Sequence, residues 1–141
     1  MILSEILQAK GRRIYTIVAH ASLADVVDKL VEYNVGSLVV CADDGRLAGI
    51  VTERDILRAC AARRRLEDNI VEHNMTTDVI TASPRDNVET VMGLMTEHRI
   101  RHLPILEDDR LVGIISIGDI VKAQHEELTR ENYYLMSYIQ S

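Results

Sequence analysis

The chain has 141 residues, 47% of them hydrophobic and 27% charged, with a net charge of −6 and a pI near 5.3. A chain of this size buries roughly two thirds of its unfolded surface, so it supports a core without disulfides or metals. The acidic balance argues against phosphate-backbone binding as its main activity, no apolar run approaches the roughly 20 residues of a bilayer span, and Cys41 and Cys60 are too few for a disulfide framework or zinc motif.

In chain order, Ile2, Leu3, Ile6 and Leu7 mark a short apolar helix face. The segment MILSEILQAKGRR carries its positive charges after the apolar part, the reverse of a secretory signal, so a cytoplasmic location is the expectation. A short strand at 14–17 then leads into a helix with Leu23, Val26, Val27, Leu30 and Val31 on one stripe. Ser22 is its N-cap, with Asp25 three residues on. Two strands follow, SLVVCA and LAGIVT, joined by the turn DDGR, and a second helix starts near Glu53. Cys41 reads as a core strand residue and Cys60 as a buried helix residue. Residues 63–74 form a linker in which Arg63–Arg65 is a solvated run. Beyond it come a strand at 79–81, a helix, the strands HLPIL and LVGIIS joined by EDDR, and a helix from Ile117.

The second half restates the first. Adding 65 to positions 14–44 superimposes Leu23 on Val88, Val26 on Val91, Leu30 on Met95 and Val35 on Ile100. After Asp44 the offset becomes 64, pairing Gly49 with Gly113, Thr52 with Ser116 and Asp55 with Asp119. One copy occupies residues 1–62 with the N-terminal helix and the other 75–125, followed by a helical tail at 126–141. Each β-α-β-β-α unit is too small to close a core alone, so two packed sheet to sheet is the natural solution.

The pairs Thr52…Asp55 and Ser116…Asp119 admit two readings. A hydroxyl at an N-cap and an acid at N3 form a capping box. The same geometry offers amides and a hydroxyl to a phosphate, and a carboxylate to a ribose diol. Both can hold in one molecule.

The doubled unit, each copy ending in G-h-h-[ST]-x-x-D (h apolar; GIVTERD at 49–55, GIISIGD at 113–119), together with RHLPI at 101–105, resembles a tandem cystathionine-β-synthase (CBS) domain pair, or Bateman module. The resemblance spans roughly residues 5–125. It implies an α/β fold of two repeats packed sheet to sheet with pseudo-twofold symmetry, and clefts that bind adenosine nucleotides, with the Asp on the ribose and the hydroxyl by the phosphate. Carried over by position, Thr52 and Asp55 define one site, joined from the opposite repeat by Thr76, Ile80, Ile100, Arg101 and His102. Ser116 and Asp119 define the other, joined by Lys10, Tyr15, Val35, Gly36 and Ser37. The copies differ: Arg54 beside Asp55 can reach a phosphate, whereas Gly118 holds the matching place.

Catalytic templates fail. GIISIG has an extra residue before the serine of G-x-S-x-G, and no P-loop is present. His98 and His102 have zinc-like spacing, but Pro104 and the strand pattern break the helix that would align them, so no metal is expected. The leading expectation is a non-enzymatic regulatory, energy-sensing module that binds AMP, ADP or ATP, with no required cofactor. Alternatives are an NAD(H)- or S-adenosylmethionine-binding protein, or an interaction module whose motifs only cap helices. CBS pairs are often attached to the enzyme, channel or transporter they regulate, so an unidentified partner protein is expected to read the output. CBS pairs also commonly form homodimers. Val121, Leu128 and Leu135 recur at seven-residue spacing, and Tyr133, Tyr134 and Tyr138 cluster near the end, so a symmetric homodimer with the terminal helices contributing is expected.

Overall fold

The structure, a computed structural model, describes residues 1–11 and 13–140. Its elements are α1 (Leu3–Lys10), β1 (Thr16–Val18), α2 (Leu23–Tyr33), β2 (Ser37–Cys41), β3 (Leu47–Thr52), α3 (Glu53–Ala61), α4 (Val88–His98), β4 (His102–Glu107), β5 (Arg110–Ser116) and α5 (Ile117–Gln140). Two 3-10 turns, Leu66–Asp68 and Val71–His73, lie between α3 and α4.

The two repeats are the same unit down to local detail. Strand β1 pairs parallel with β2, and β2 antiparallel with β3. In the second repeat β4 pairs antiparallel with β5. The register breaks between Val40 and Cys41 in one sheet and between Ile105 and Leu106, 65 residues on, in the other. Helices α2 and α4 end on left-handed residues at equivalent places, Asn34 (φ 53°) and Arg99 (φ 54°). Each is followed by the same closing bond, Val35 N–H to Leu30 O at 3.1 Å and Ile100 N–H to Met95 O at 3.0 Å. Ser22 and Asn87 cap the two helices through their side chains.

The cores exchange their lead-in segments. Leu23, Val26, Leu30, Leu38, Val40 and Val51 form the first core, which is completed by Val71 from the second 3-10 turn of the linker. Val88, Val91, Met95, Leu103, Ile105 and Ile115 form the second, completed by Leu3, Ile6 and Leu7 of α1. Helix α1 therefore precedes the first repeat in sequence but packs with the second. Backbone pairing follows the same exchange, with bridges Ser22–Ile70 and Ile2–Asn87. The repeated glycines permit it. A Cβ on Gly49 would lie 2.7 Å from both Met75 Sδ and the Thr76 carbonyl oxygen, and one on Gly113 would lie 2.5 Å from Leu7 Cδ2. Each glycine leaves room for the segment that crosses over its sheet.

Several expectations are corrected. The strand expected at 79–81 is reduced to a single parallel bridge, Ala82 with Ile105, the counterpart of Ile17 with Val40. Residues 78–80 line a cleft instead. The helix from Ile117 and the tail are one uninterrupted helix, since no proline breaks the run. Cys60 is exposed and the buried apolar position on α3 is Ala59, while Val31 is 76% exposed at the edge of its stripe. No helix of the described residues is long and apolar enough to cross a membrane.

Candidate functional site

The cleft forms where β3 turns into α3. Strand β3 delivers Thr52 to the helix start, and α3 then places Glu53, Arg54 and Asp55 in its first turn. The first turn of a helix exposes amides with no intrahelical partner and a partial positive charge. Asp55 is only 8% exposed. Its Oδ2 accepts from the Thr52 amide at 2.9 Å and from the Thr52 hydroxyl at 3.4 Å, and Arg58 Nη1 stands 3.8 Å from Oδ1. Thr52 and Asp55 thus form a capping box whose hydroxyl also leans on the carboxylate.

The second repeat supplies the facing wall. A cavity of about 310 Å³, within the size of small-molecule sites, is lined by Thr52, Arg54, Asp55, Thr76, Ile80, Ile100, Arg101 and His102. All eight residues assigned to the Asp55 site from sequence thus line one cavity. Gly36, assigned to the other site, also lines it. A Cβ there would meet Glu53 Oε1 at 2.7 Å and the His102 ring at 3.2 Å, so Gly36 lies where the two repeats meet. Equivalent backbone bonds tie each strand start to a helix start, Glu53 N–H to Gly36 O at 3.1 Å and Ile117 N–H to Arg101 O at 2.9 Å.

Sequence reasoning missed Glu53, Arg58, Asp78, Val79, His98 and Arg99, which line the same cavity. Arg58 was findable, being one turn beyond Arg54 on the same helix face. Arg99 was not, because its position follows from the left-handed turn that ends α4. His98 closes α4 and His102 opens β4, so the pair is not on one helix. Among the described residues no cluster of three or more His, Cys, Asp or Glu could hold a metal ion.

Burial pushes the His102 pKa below its ordinary 6.5, Glu53 and Asp119 oppose this, and Lys10 and Arg101 add to it. His102 therefore feels charges from both halves of the dyad.

The Asp119 half is arranged differently. Asp119 Oδ2 accepts from Lys10 Nζ at 2.6 Å and from the Ser116 amide at 2.8 Å, and its own amide donates to Ser116 Oγ at 3.1 Å. Lys10 also donates to the Ile114 carbonyl at 2.7 Å. Here the capping box is closed and the acid already holds a cation. Burial raises the Asp119 pKa, but the hydrogen bonds from Lys10 and Ser116 and the Lys10 charge outweigh it, leaving it below its ordinary 3.8. Tyr15 stacks on Tyr33 at 4.1 Å and packs with Val35 against the first core. Ser37 is buried in the register opposite Thr52. Among the described residues, Tyr15, Val35 and Ser37 make no hydrogen bond to Ser116 or Asp119.

Comparison with known proteins agrees with this architecture. The CBS domain family model matches residues 5–62 and again 68–126. A mitochondrial CBS domain-containing protein of Arabidopsis thaliana is 39% identical over 79% of this chain, which corresponds to 58% of that protein's length. A CBS-domain protein from Agrobacterium tumefaciens has a similar crystal structure, with TM-score 0.85 and 35% identity over 88% of this chain and 99% of that one. A CBS domain protein from Pyrobaculum aerophilum, solved in complex with AMP, has TM-score 0.77 and 32% identity over 84% of this chain and 89% of that one.

Proposed function

The chain belongs to the CBS-domain family, and we propose that it is a non-enzymatic regulatory module that binds an adenosine nucleotide in the cleft between its repeats, at Asp55. The observation that carries this reading is a nearly buried carboxylate at a helix N-terminus, facing cationic side chains from the opposite repeat. The α3 amides and the Thr52 hydroxyl take a phosphate, Asp55 accepts the ribose diol, and Ile80 and Ile100 flank the base. AMP in the Pyrobaculum protein supports the ligand class. S-adenosylmethionine is the weaker candidate, because it has no phosphate to meet Arg54 and Arg101 and carries positive charge of its own. NAD(H) remains an adenosine ligand to be titrated beside the nucleotides.

An AMP-sized ligand has about 23 heavy atoms, and at ~0.3 kcal/mol each this gives ~7 kcal/mol, or a Kd of order 10 μM. That affinity suits the sensing of a cytoplasmic metabolite. Signalling then requires the nucleotide to bind two arrangements of the repeats unequally, with a partner protein reading the difference. At Asp119 the closed capping box and the Lys10 contact favour a structural role for that motif.

The assembly is a homodimer. Leu57 on α3 and Val121 on α5 are equivalent positions, and both are exposed. Leu128 and Leu135 extend that apolar line along α5. Calorimetric titration with AMP, ADP, ATP, NAD(H) and S-adenosylmethionine tests the reading: saturable binding of an adenosine nucleotide supports it, and no heat or melting shift with any of them defeats it.

A further inference from the structure

We infer that the Asp55 cleft selects adenosine nucleotides carrying two or more phosphates, and that Arg99 discriminates them from the monophosphate. This rests on the reading that the cleft binds an adenosine nucleotide, and concerns how much anion it is built to hold.

Four arginines, Arg54, Arg58, Arg99 and Arg101, line the cavity against three carboxylates, Glu53, Asp55 and Asp78. One of those carboxylates, Asp55, is the ribose acceptor. Among the described residues the side chains of Arg54, Arg99 and Arg101 make no hydrogen bond or ion pair, and that of Arg58 has only its 3.8 Å approach to Asp55. The matching positions around Asp119 are Gly118 for Arg54, Lys122 for Arg58, Asn34 for Arg99 and Gly36 for Arg101. Guanidinium groups are thus concentrated in the Asp55 half-site, whereas the pocket beside Asp119 carries Lys10, Lys122 and a single arginine, Arg130, with Lys10 already paired to Asp119. A single phosphate at the α3 N-terminus is served by the helix amides, the Thr52 hydroxyl and the adjacent Arg54. Further unpaired guanidinium groups on the opposite wall suit further phosphates, which such groups bind in bidentate fashion.

Arg99 stands out within this set. It occupies the left-handed C-cap of α4 at φ 54°, a conformation that favours Gly or Asn. Asn34 fills the equivalent cap at φ 53°. The backbone therefore gives no reason for arginine at 99, whereas the cavity does. From the end of α4 its side chain lines the cleft on the opposite wall from α3.

The test titrates AMP, ADP and ATP into the full chain, its Arg99→Asn variant and its Arg99→Lys variant, at low salt and at about 0.5 M salt where screening is short-ranged. Asparagine suits the left-handed cap, so the fold is preserved. The expected result is ADP or ATP binding at least about fivefold more tightly than AMP, a gap that narrows at high salt. Arg99→Asn is expected to bring ADP and ATP to the AMP affinity while leaving AMP within about twofold, and Arg99→Lys, which keeps the charge but loses the bidentate fork, to fall between the two. AMP binding as tightly as ATP overturns the inference alone, as does equal weakening of all three by Arg99→Asn. Failure of all three to bind wild type overturns it together with the reading beneath it.

Discussion

Replacing Asp55 by alanine removes two things that differ in size and in readout. The first is local: the carboxylate accepts the Thr52 amide at 2.9 Å at the start of α3, and loss of a helix cap costs about 0.5–2 kcal/mol. The second appears only with ligand. A hydrogen bond from a ribose hydroxyl to a charged acceptor is worth about 1.5–3 kcal/mol, so affinity should fall about 10- to 150-fold, from a Kd of order 10 μM toward 0.1–1 mM. Asp55→Asn keeps an acceptor oxygen and the side-chain shape, and is expected to fall between the two. Calorimetry gives affinity and a thermal melt gives stability on the same samples. Asp119→Ala is the control. It loses the contacts to Lys10 and Ser116, so its melting temperature drops, while nucleotide affinity at the Asp55 cleft changes less than about twofold. If Asp55→Ala binds nucleotide as wild type does, or if Asp119→Ala alone abolishes binding, Asp55 is a cap and not a ribose acceptor.

Three further outcomes are expected. Gly49→Ala pushes a Cβ against the Thr76 carbonyl, which is held by the Ile50 amide at 3.0 Å and cannot yield, whereas Gly113→Ala meets only the flexible end of Leu7. Overpacking of the first kind costs about 1–3 kcal/mol, or roughly 3–10 °C in Tm for this size, so thermal melts should rank Gly49→Ala well below Gly113→Ala. The depressed His102 pKa means the unfolded chain takes up the proton first as pH falls. Stability carried by His102 is therefore full above 6.5 and declines below it toward the folded pKa, and a bound phosphate should reverse part of the shift. Nucleotide binding near pH 6 should then draw a proton onto His102, seen as calorimetric enthalpies that vary with buffer, and His102→Gln should change that dependence to what the phosphate's own ionisation contributes. Finally, Leu57→Glu with Val121→Glu should turn a dimer into a monomer by sedimentation without lowering Tm by more than a few degrees, since both side chains are exposed.

The fold was legible because it is written twice. The stripe through Leu23, Val26 and Leu30 and its echo at Val88, Val91 and Met95 each identified a helix, and the shared spacing made the two one unit. The exchange of lead-in segments was not legible, since nothing in the pattern of Leu3, Ile6 and Leu7 says which core receives them. Residues 79–81 read as a strand because they mirror 14–16, yet Val79 and Ile80 line the cleft and only Ala82 pairs. The motif residues of the Asp55 cleft came from periodicity and resemblance together, and the repeat-crossing ones such as Thr76 and His102 from resemblance alone. Arg99 escaped because a left-handed cap redirects its side chain, a three-dimensional effect with no trace in spacing. The different states of Thr52 and Ser116 were likewise invisible, since both motifs present the same hydroxyl and acid, and Lys10 enters one of them from more than a hundred residues away.

A crystal structure of the full chain grown with ADP tests the central claim most directly. The account requires the ribose hydroxyls within hydrogen-bonding distance of Asp55, the α-phosphate at the start of α3 near Thr52, and the base between Ile80 and Ile100. Nucleotide held elsewhere on the chain, or an Asp55 carboxylate still bonded only to Thr52 with ADP bound at Asp119, contradicts it.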